Sequence, residues 1–313
     1  MGRGGAVLGA AAGAGAATAL LVPETVGRER SFPWPALLAA RPALAGGVGV
    51  AAGALTAVHP RARPAALGAA AVAGAVLADP RRRSGRRPAP GPVRLTVLVA
   101  NVWQGRADPA ALAAIVRTHR PDLVVLPEAG KPFLARLEAE LPAGHRAVTA
   151  PPPRPDRHVP DDPDGPWTTV LTAGSLGAVD VAPAVTEASY GWLEVRGGAL
   201  GDVRVLAAHP VAPVPGLTGR WAAELDLAAA WRAAAGGPTV IAGDLNTTVE
   251  HRAIAALGDG RTPGGPPTWP AHWPRRLGFR IDHVLAGGGI AVHRTRVLDL
   301  PGSDHRAVLA DLG

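Results

Sequence analysis

A break at residues 79–92, DPRRRSGRRPAPGP, divides this chain into two parts that obey different folding rules. Before it lie three uncharged runs of Ala, Gly, Val and Leu, at residues 5–22, about 42–58 and about 65–78. A bilayer span needs about 20 apolar residues, so the first two runs are long enough and the third is short. None carries a polar stripe, and Ala and Gly offer little side chain to a soluble core. Small residues instead suit close helix packing in lipid. A cleavable signal peptide is the alternative for the first run, because Arg3 precedes it, and the two further apolar runs weigh against that. The reading is a membrane anchor over 1–79 with two to three transmembrane helices, an Arg/Pro-rich linker over 80–92, and a second domain over 93–313.

Charge follows the same division. The chain is formally +7, yet residues 1–87 hold eleven arginines against Glu24, Glu29 and Asp79. Residues 88–313 are left with 21 basic and 22 acidic side chains. The basicity belongs to the flanks of the apolar runs, so the high isoelectric point is no argument for nucleic-acid binding. With three spans, the arginine count favours a cytoplasmic C-terminal domain, and removing the third span reverses that relation. There are no cysteines, which excludes disulfides, thiolate metal sites and a cysteine nucleophile.

Beyond residue 92 the pattern changes. VRLTVLVA (93–100) reads as a strand, Asp108-Pro109 as an N-cap opening a helix to about His119, and DLVVL (122–126) as a buried strand. A helix is expected over about 132–140 and a loop over 150–166. Strands are expected at 167–172, 176–182, 190–196, 202–208, 238–242, 280–285, 291–298 and 306–311, with helices at 218–235 and 249–257. Two early strand–helix units followed by many strands predict an α/β fold with a mixed sheet sandwich and outer helices.

Polar residues gather at the predicted strand ends: Asn101 in VANVWQG, Glu128 in VVLPEAG, His209 in LAAHPVAP, Asp244 and Asn246 in AGDLN, Asp282 in RIDHVL, and Asp304-His305 in GSDHRAV. Taken singly, each reads as a turn, cap or loop residue. Together they sit where a sheet scaffold fixes the geometry of an active site.

In this order the set resembles the endonuclease/exonuclease/phosphatase superfamily, the deoxyribonuclease-I-like fold, over about residues 93–312. The tract PTWP at 267–270 is similar to tracts in membrane-anchored bacterial members. Pro127 stands where the family usually has Gln. The resemblance implies a four-layer α/β sandwich, two mixed β-sheets packed face to face with helices outside. It also implies a metal-dependent phosphoesterase whose substrate is either nucleic acid or a lipid or small-molecule phosphate.

Under that resemblance Glu128, Asn101 and Asp304 are the expected metal ligands, and their oxygens suit Mg²⁺ or Mn²⁺. His305 is the expected general base, oriented by Asp282, while Asp244 positions or deprotonates the attacking water. Asn246 and His209 are expected to donate hydrogen bonds to phosphate oxygens. No H-E-x-x-H, P-loop or G-x-S-x-G motif is present. The alternative is a non-catalytic membrane-anchored binding module on the same fold.

Overall fold

The computed structural model describes residues 3–79, 94–152, 163–165, 167–259 and 265–313. The 80–92 linker, and residues 153–162 and 166 of the expected 150–166 loop, lie outside the described residues. The chain forms two compact units. One is built on the N-terminal helices with Pro213–Gly219 and Val249–His251; the other holds the remainder.

The first unit contains α1 (Arg3–Leu21), α2 (Trp34–Ala39), α3 (Arg41–Val58) and α4 (Arg63–Leu77). Alanine gives these segments high helix propensity, and proline stands in the first turn of α3 and α4, where its missing N–H costs nothing. Glycine sets how closely α1 and α4 pack. A Cβ on Gly13 would stand 1.9 Å from the Ala65 carbonyl oxygen, and one on Gly68 would stand 2.1 Å from that of Ala10. The buried guanidinium of Arg41 donates to both carboxylate oxygens of Glu24, at 2.8 and 2.9 Å. Gly4–Leu21 and Arg41–Val58 are both apolar and long enough to cross a bilayer. The third apolar run is also helical, but α4 has only 15 residues. At 1.5 Å per residue it reaches about 22 Å, short of a hydrocarbon core of about 30 Å.

The second unit is a sandwich of two mixed sheets. The first has strand order β10-β11-β1-β2-β4-β3 and the second β5-β6-β7-β8-β9. In the first sheet β1 (Leu95–Val99) runs parallel to β2 (Leu123–Pro127) across α5 (Pro109–His119), and β2 is followed by α6 (Lys131–Glu138). In the second, β7 (Arg204–Ala207) runs parallel to β8 (Thr239–Asp244) across α7 (Thr218–Ala235). The other pairs are antiparallel: β3 (His145–Ala150), β4 (Thr168–Ala173), β5 (Val179–Ala184), β6 (Trp192–Gly197), β9 (Asp282–Gly287), β10 (Val292–Leu298) and β11 (Ala307–Leu312) each pair in that sense.

Side-chain alternation builds two cores from the same strands. Val97, Val99 and Val125 meet Val205, Ala207, Val240 and Ala242 of the facing sheet. Leu98, Val124 and Leu126 turn the other way, onto Leu112 and Val116 of α5 and Phe133 and Leu137 of α6. On the far side, Trp231 of α7 donates to Glu194 of β6 and lies under Arg204 of β7. Layer by layer this is the expected four-layer sandwich, with both sheets mixed.

Two elements differ from expectation. HRAVTA, over which no strand was expected, is the edge strand β3, paired with β4 along its whole length. Its apolar content is low because an edge strand keeps much of its surface in water. The helix expected at 249–257 is only α8 (Ile254–Leu257), preceded by turns.

Gly243, next to last in β8, has φ +153°, and a Cβ there would lie 1.8 Å from the Ala208 carbonyl oxygen. A backbone atom cannot step aside as a side chain can. Gly243→Ala is therefore expected to cost about 3 kcal/mol, at the upper end of overpacking effects. A thermal midpoint within 1–2 °C of the parent would contradict this.

Candidate active site

All eight polar residues expected at strand ends arrive on one rim of the sandwich. Asn101 follows β1, Glu128 follows β2 and His209 follows β7. Asp244 closes β8 and leads to Asn246, Asp282 opens β9, and Asp304-His305 precede β11. Parallel strands deliver residues at their C-terminal ends, and antiparallel partners deliver theirs at the start, so six separate sequence stretches converge.

Asn101 is buried at the centre. Its Nδ2 donates to Glu128 Oε1 and to Asp244 Oδ2, both at 3.0 Å, while its Oδ1 accepts from the Trp103 N–H at 2.9 Å. It thus links two carboxylates and turns its amide nitrogen, rather than its oxygen, toward them. Glu128 is held a second time, by the Gln104 N–H on Oε2 at 2.9 Å. His209 Nε2 faces the same pair, 3.9 Å from Glu128 Oε1 and 3.8 Å from Asp244 Oδ2. The Asn246 backbone N–H caps Asp244 Oδ1 at 3.0 Å, and Asn246 Nδ2 donates to the Pro210 carbonyl at 3.0 Å.

His305 lies in an arc of carboxylates. Its Nδ1 is 2.9 Å from Asp282 Oδ2; its Nε2 is 3.6 Å from Asp244 Oδ2 and 3.9 Å from Asp304 Oδ1. Burial works against its charge, yet Asp282, Asp244 and Asp304 together hold its pKa up to about 10. Burial pushes His209 down to about 3, with His305 adding to the effect. Asp244 is pushed up to about 7 by burial, reinforced by Asp282. Burial also raises Glu128, against the Asn101 hydrogen bond. One imidazole is therefore cationic and the other neutral at pH 7, and Asp244 is poised to exchange a proton.

The backbone is strained where these groups meet. Six described residues other than glycine have positive φ; Trp103, Gln104, Glu128 and Asn246 are four of them. Each such conformation costs about 1–3 kcal/mol and persists only where the surroundings over-determine it. Here the surroundings are the hydrogen bonds just described.

Several contributors are not among the expected site residues. Tyr190, the only tyrosine in the chain, lies with its ring 4.7 Å from that of His209. Burial and the carboxylates of Glu128 and Glu224 push its phenol up to about 12. Glu224 of α7 accepts from Ser189 N, Ser189 Oγ and Val211 N, clamping the chain on both sides of that ring pair. Thr268 Oγ1 accepts from the Ile281 and Asp282 N–H groups, and Ser303 Oγ donates to the Asn101 carbonyl at 2.7 Å. Trp269 Nε1 donates to Asp304 Oδ2 at 3.1 Å. Rarity could have marked Tyr190, Ser303 stands inside the SDH motif, and Thr268 and Trp269 stand inside PTWP; Glu224 is a long-range partner.

The donor set fits a divalent cation. Glu128, His209 and Asp244 bring ligand atoms within 4.8 Å of one another, as do Asp244, Asp282 and His305. Among the described residues, Asp282 Oδ1 and Asp304 Oδ1 are buried without a hydrogen-bond partner, and such oxygens need a cation or a donor. Carboxylate oxygens with an imidazole favour a hard or borderline ion over a soft one.

A two-sheet α/β sandwich with carboxylates and imidazoles on one rim defines the deoxyribonuclease-I-like class. The chain belongs to the Endonuclease/Exonuclease/phosphatase family, whose model matches residues 98–305. No curated protein matches it in sequence. Among solved structures it is similar to an endonuclease/exonuclease/phosphatase from Bacteroides vulgatus (16% identity, 70% of this chain and 98% of that one, TM-score 0.53). It is also similar to a humanized D. rerio TDP2 carrying 14 mutations (14% identity, 70% and 98%, TM-score 0.52). A functionally unknown conserved protein from Enterococcus faecalis V583 is a third (15% identity, 70% and 99%, TM-score 0.52). At these identities the likeness concerns the fold.

Proposed function

We propose that this protein is a membrane-anchored, divalent-metal-dependent phosphoesterase in which Asp244 activates water and His305 stabilises the phosphoryl group. The observation that carries this reading is the Asn101–Glu128–His209–Asp244–Asp282–Asp304–His305 cluster, on a fold whose family comprises nucleases and phosphatases. Mg²⁺ or Mn²⁺, held by Glu128 and Asp304, would neutralise phosphate charge and favour departure of the leaving oxygen. Asn101 ties Glu128 to Asp244 and keeps both carboxylates in register.

Asp244 Oδ2 takes the proton of the attacking water as the new P–O bond forms. The P–O bond to the leaving group then breaks, and that oxygen takes a proton from solvent. The resemblance made His305 the general base. Asp282, Asp244 and Asp304 favour the protonated ring against its burial, so we assign His305 instead to donate from Nε2 to a phosphoryl oxygen. Asp282 holds its other nitrogen and fixes the ring. His209, neutral, donates from Nε2, the nitrogen that faces Glu128 and Asp244, and Asn246 lines the same rim.

Membrane anchoring rests on α1 and α3, on their length, and on apolar side chains facing outward, such as Val7 (68% exposed), Leu8 (74%) and Val50 (77%). The anchor and the absence of net positive charge beyond residue 87 favour a lipid or small-molecule phosphate over nucleic acid. The full-length protein in detergent is expected to hydrolyse bis-p-nitrophenyl phosphate with Mn²⁺ or Mg²⁺. EDTA should abolish that turnover and added metal restore it. A folded protein inert toward diesters, monoesters and phospholipids alike would favour the binding-module alternative.

A further inference from the structure

The two oxygens of Asp304 are unequal. Oδ2 accepts the Trp269 indole N–H at 3.1 Å. Oδ1 is buried, has no hydrogen-bond partner among the described residues, and faces His305 Nε2 at 3.9 Å. An indole N–H is a donor only, so it stabilises the ionised carboxylate and occupies one oxygen.

Trp269 is itself fixed. Its backbone exchanges hydrogen bonds with Phe279 at 2.9 and 2.7 Å, and the two rings stack with centroids 6.3 Å apart. Gly278 has φ +101°, and a Cβ there would lie 2.4 Å from the Trp269 carbonyl oxygen, so glycine alone permits this approach. The same segment is strapped to the residues around Asp304. Ala271 N–H donates to the Asp304 carbonyl at 2.7 Å, and the buried Arg306 donates to the carbonyls of Pro267, Ala271 and Trp273.

We propose that Trp269 is a positioning residue for the metal site: its indole N–H holds one oxygen of Asp304 so that the other alone is presented to a divalent cation. This rests on the functional reading above, which makes Asp304 a ligand. A carboxylate with one oxygen engaged does not readily chelate through both, whereas Ca²⁺ often takes carboxylates bidentately and Mg²⁺ and Mn²⁺ take single oxygens in near-octahedral sites. Trp269 therefore also biases the site against Ca²⁺.

The test is direct Mn²⁺ binding to the full-length protein, measured by the loss of the free-ion electron paramagnetic resonance signal, with Ca²⁺ as competitor. Trp269→Phe removes the N–H and keeps the ring on Phe279. It is expected to raise the Mn²⁺ Kd about 10-fold or more, as loss of an outer hydrogen-bond partner does, and to lessen the preference over Ca²⁺. Phe279→Leu loosens the stack but leaves the N–H; its Mn²⁺ Kd is expected within twofold of the parent. Equal weakening in both variants, or no weakening in Trp269→Phe, overturns the proposal. So does a Phe variant too unstable to bind any metal, which would assign Trp269 to the fold. No Mn²⁺ binding by the parent protein is a different result, and it removes the metal-dependent reading itself.

Discussion

Replacing Asp244 by Asn is expected to lower turnover of a phosphodiester about 10³-fold with little change in fold. Removal of a well-placed general base costs about 10²–10⁴. The amide keeps the size of the carboxyl and still has an oxygen for Asn101 Nδ2 or the Asn246 N–H, so the packing survives. What is lost is the proton acceptor. In the metal-free protein burial pushes this carboxyl up to about 7. A bound cation stabilises the ionised form, so the acid limb of the parent pH–rate profile should fall at or below that value. Asp244→Asn should abolish this limb. Turnover within tenfold of the parent at every pH would mean that the base lies elsewhere.

The second large effect is at His305. Its Nε2 would meet charge developing on the phosphoryl oxygens, and losing one such donor costs about 10²–10³ in rate. His305→Gln is expected to show that loss and to change the pH dependence of stability as well. The folded-state pKa of about 10 lies above the ordinary 6.5. The imidazolium therefore contributes stability that is fully present below 6.5 and is lost as pH rises toward 10. With EDTA present, the thermal midpoint of the parent should fall across that window, and that of His305→Gln should fall less. Equal slopes in the two proteins would show that Asp282, Asp244 and Asp304 do not hold a proton on this ring.

Much of the second unit is legible in the sequence because its signals are local. Asp108 caps the helix that starts at Pro109, accepting from the Ala110 and Ala111 N–H groups, as the Asp-Pro pair implies. The runs LTVLV and LVVLP lack alternation because β1 and β2 are covered on both faces. β3 was not legible: an edge strand has one neighbour and little to bury, so Ala, Arg and Thr serve there. The strand-end residues were legible as a set, since an α/β sandwich places such ends together. Their pairings were not. Nothing local shows that the Asn101 nitrogen bridges Glu128 and Asp244, that Glu224 clamps the Tyr190–His209 pair, or that Trp269 reaches Asp304. These bonds join residues 13 to 143 positions apart, and only the assembled sheets bring them within reach.

The same distinction holds for protonation. The residue types Asp, His and Asp suggest an acid–base site, but which imidazole carries charge depends on what surrounds it. His305 and His209 start from the same pKa and end far apart, because three carboxylates outweigh burial at one, while burial and the charge on His305 prevail at the other.

In the proposed reaction water attacks phosphorus at this rim. Diester hydrolysis by the full-length protein with Mn²⁺ in H₂¹⁸O, followed by mass spectrometry of the products, checks this step. One ¹⁸O is expected in each released phosphoryl product and none in the alcohol. Label in the alcohol, unlabelled phosphate, or no metal-dependent product at all would contradict it.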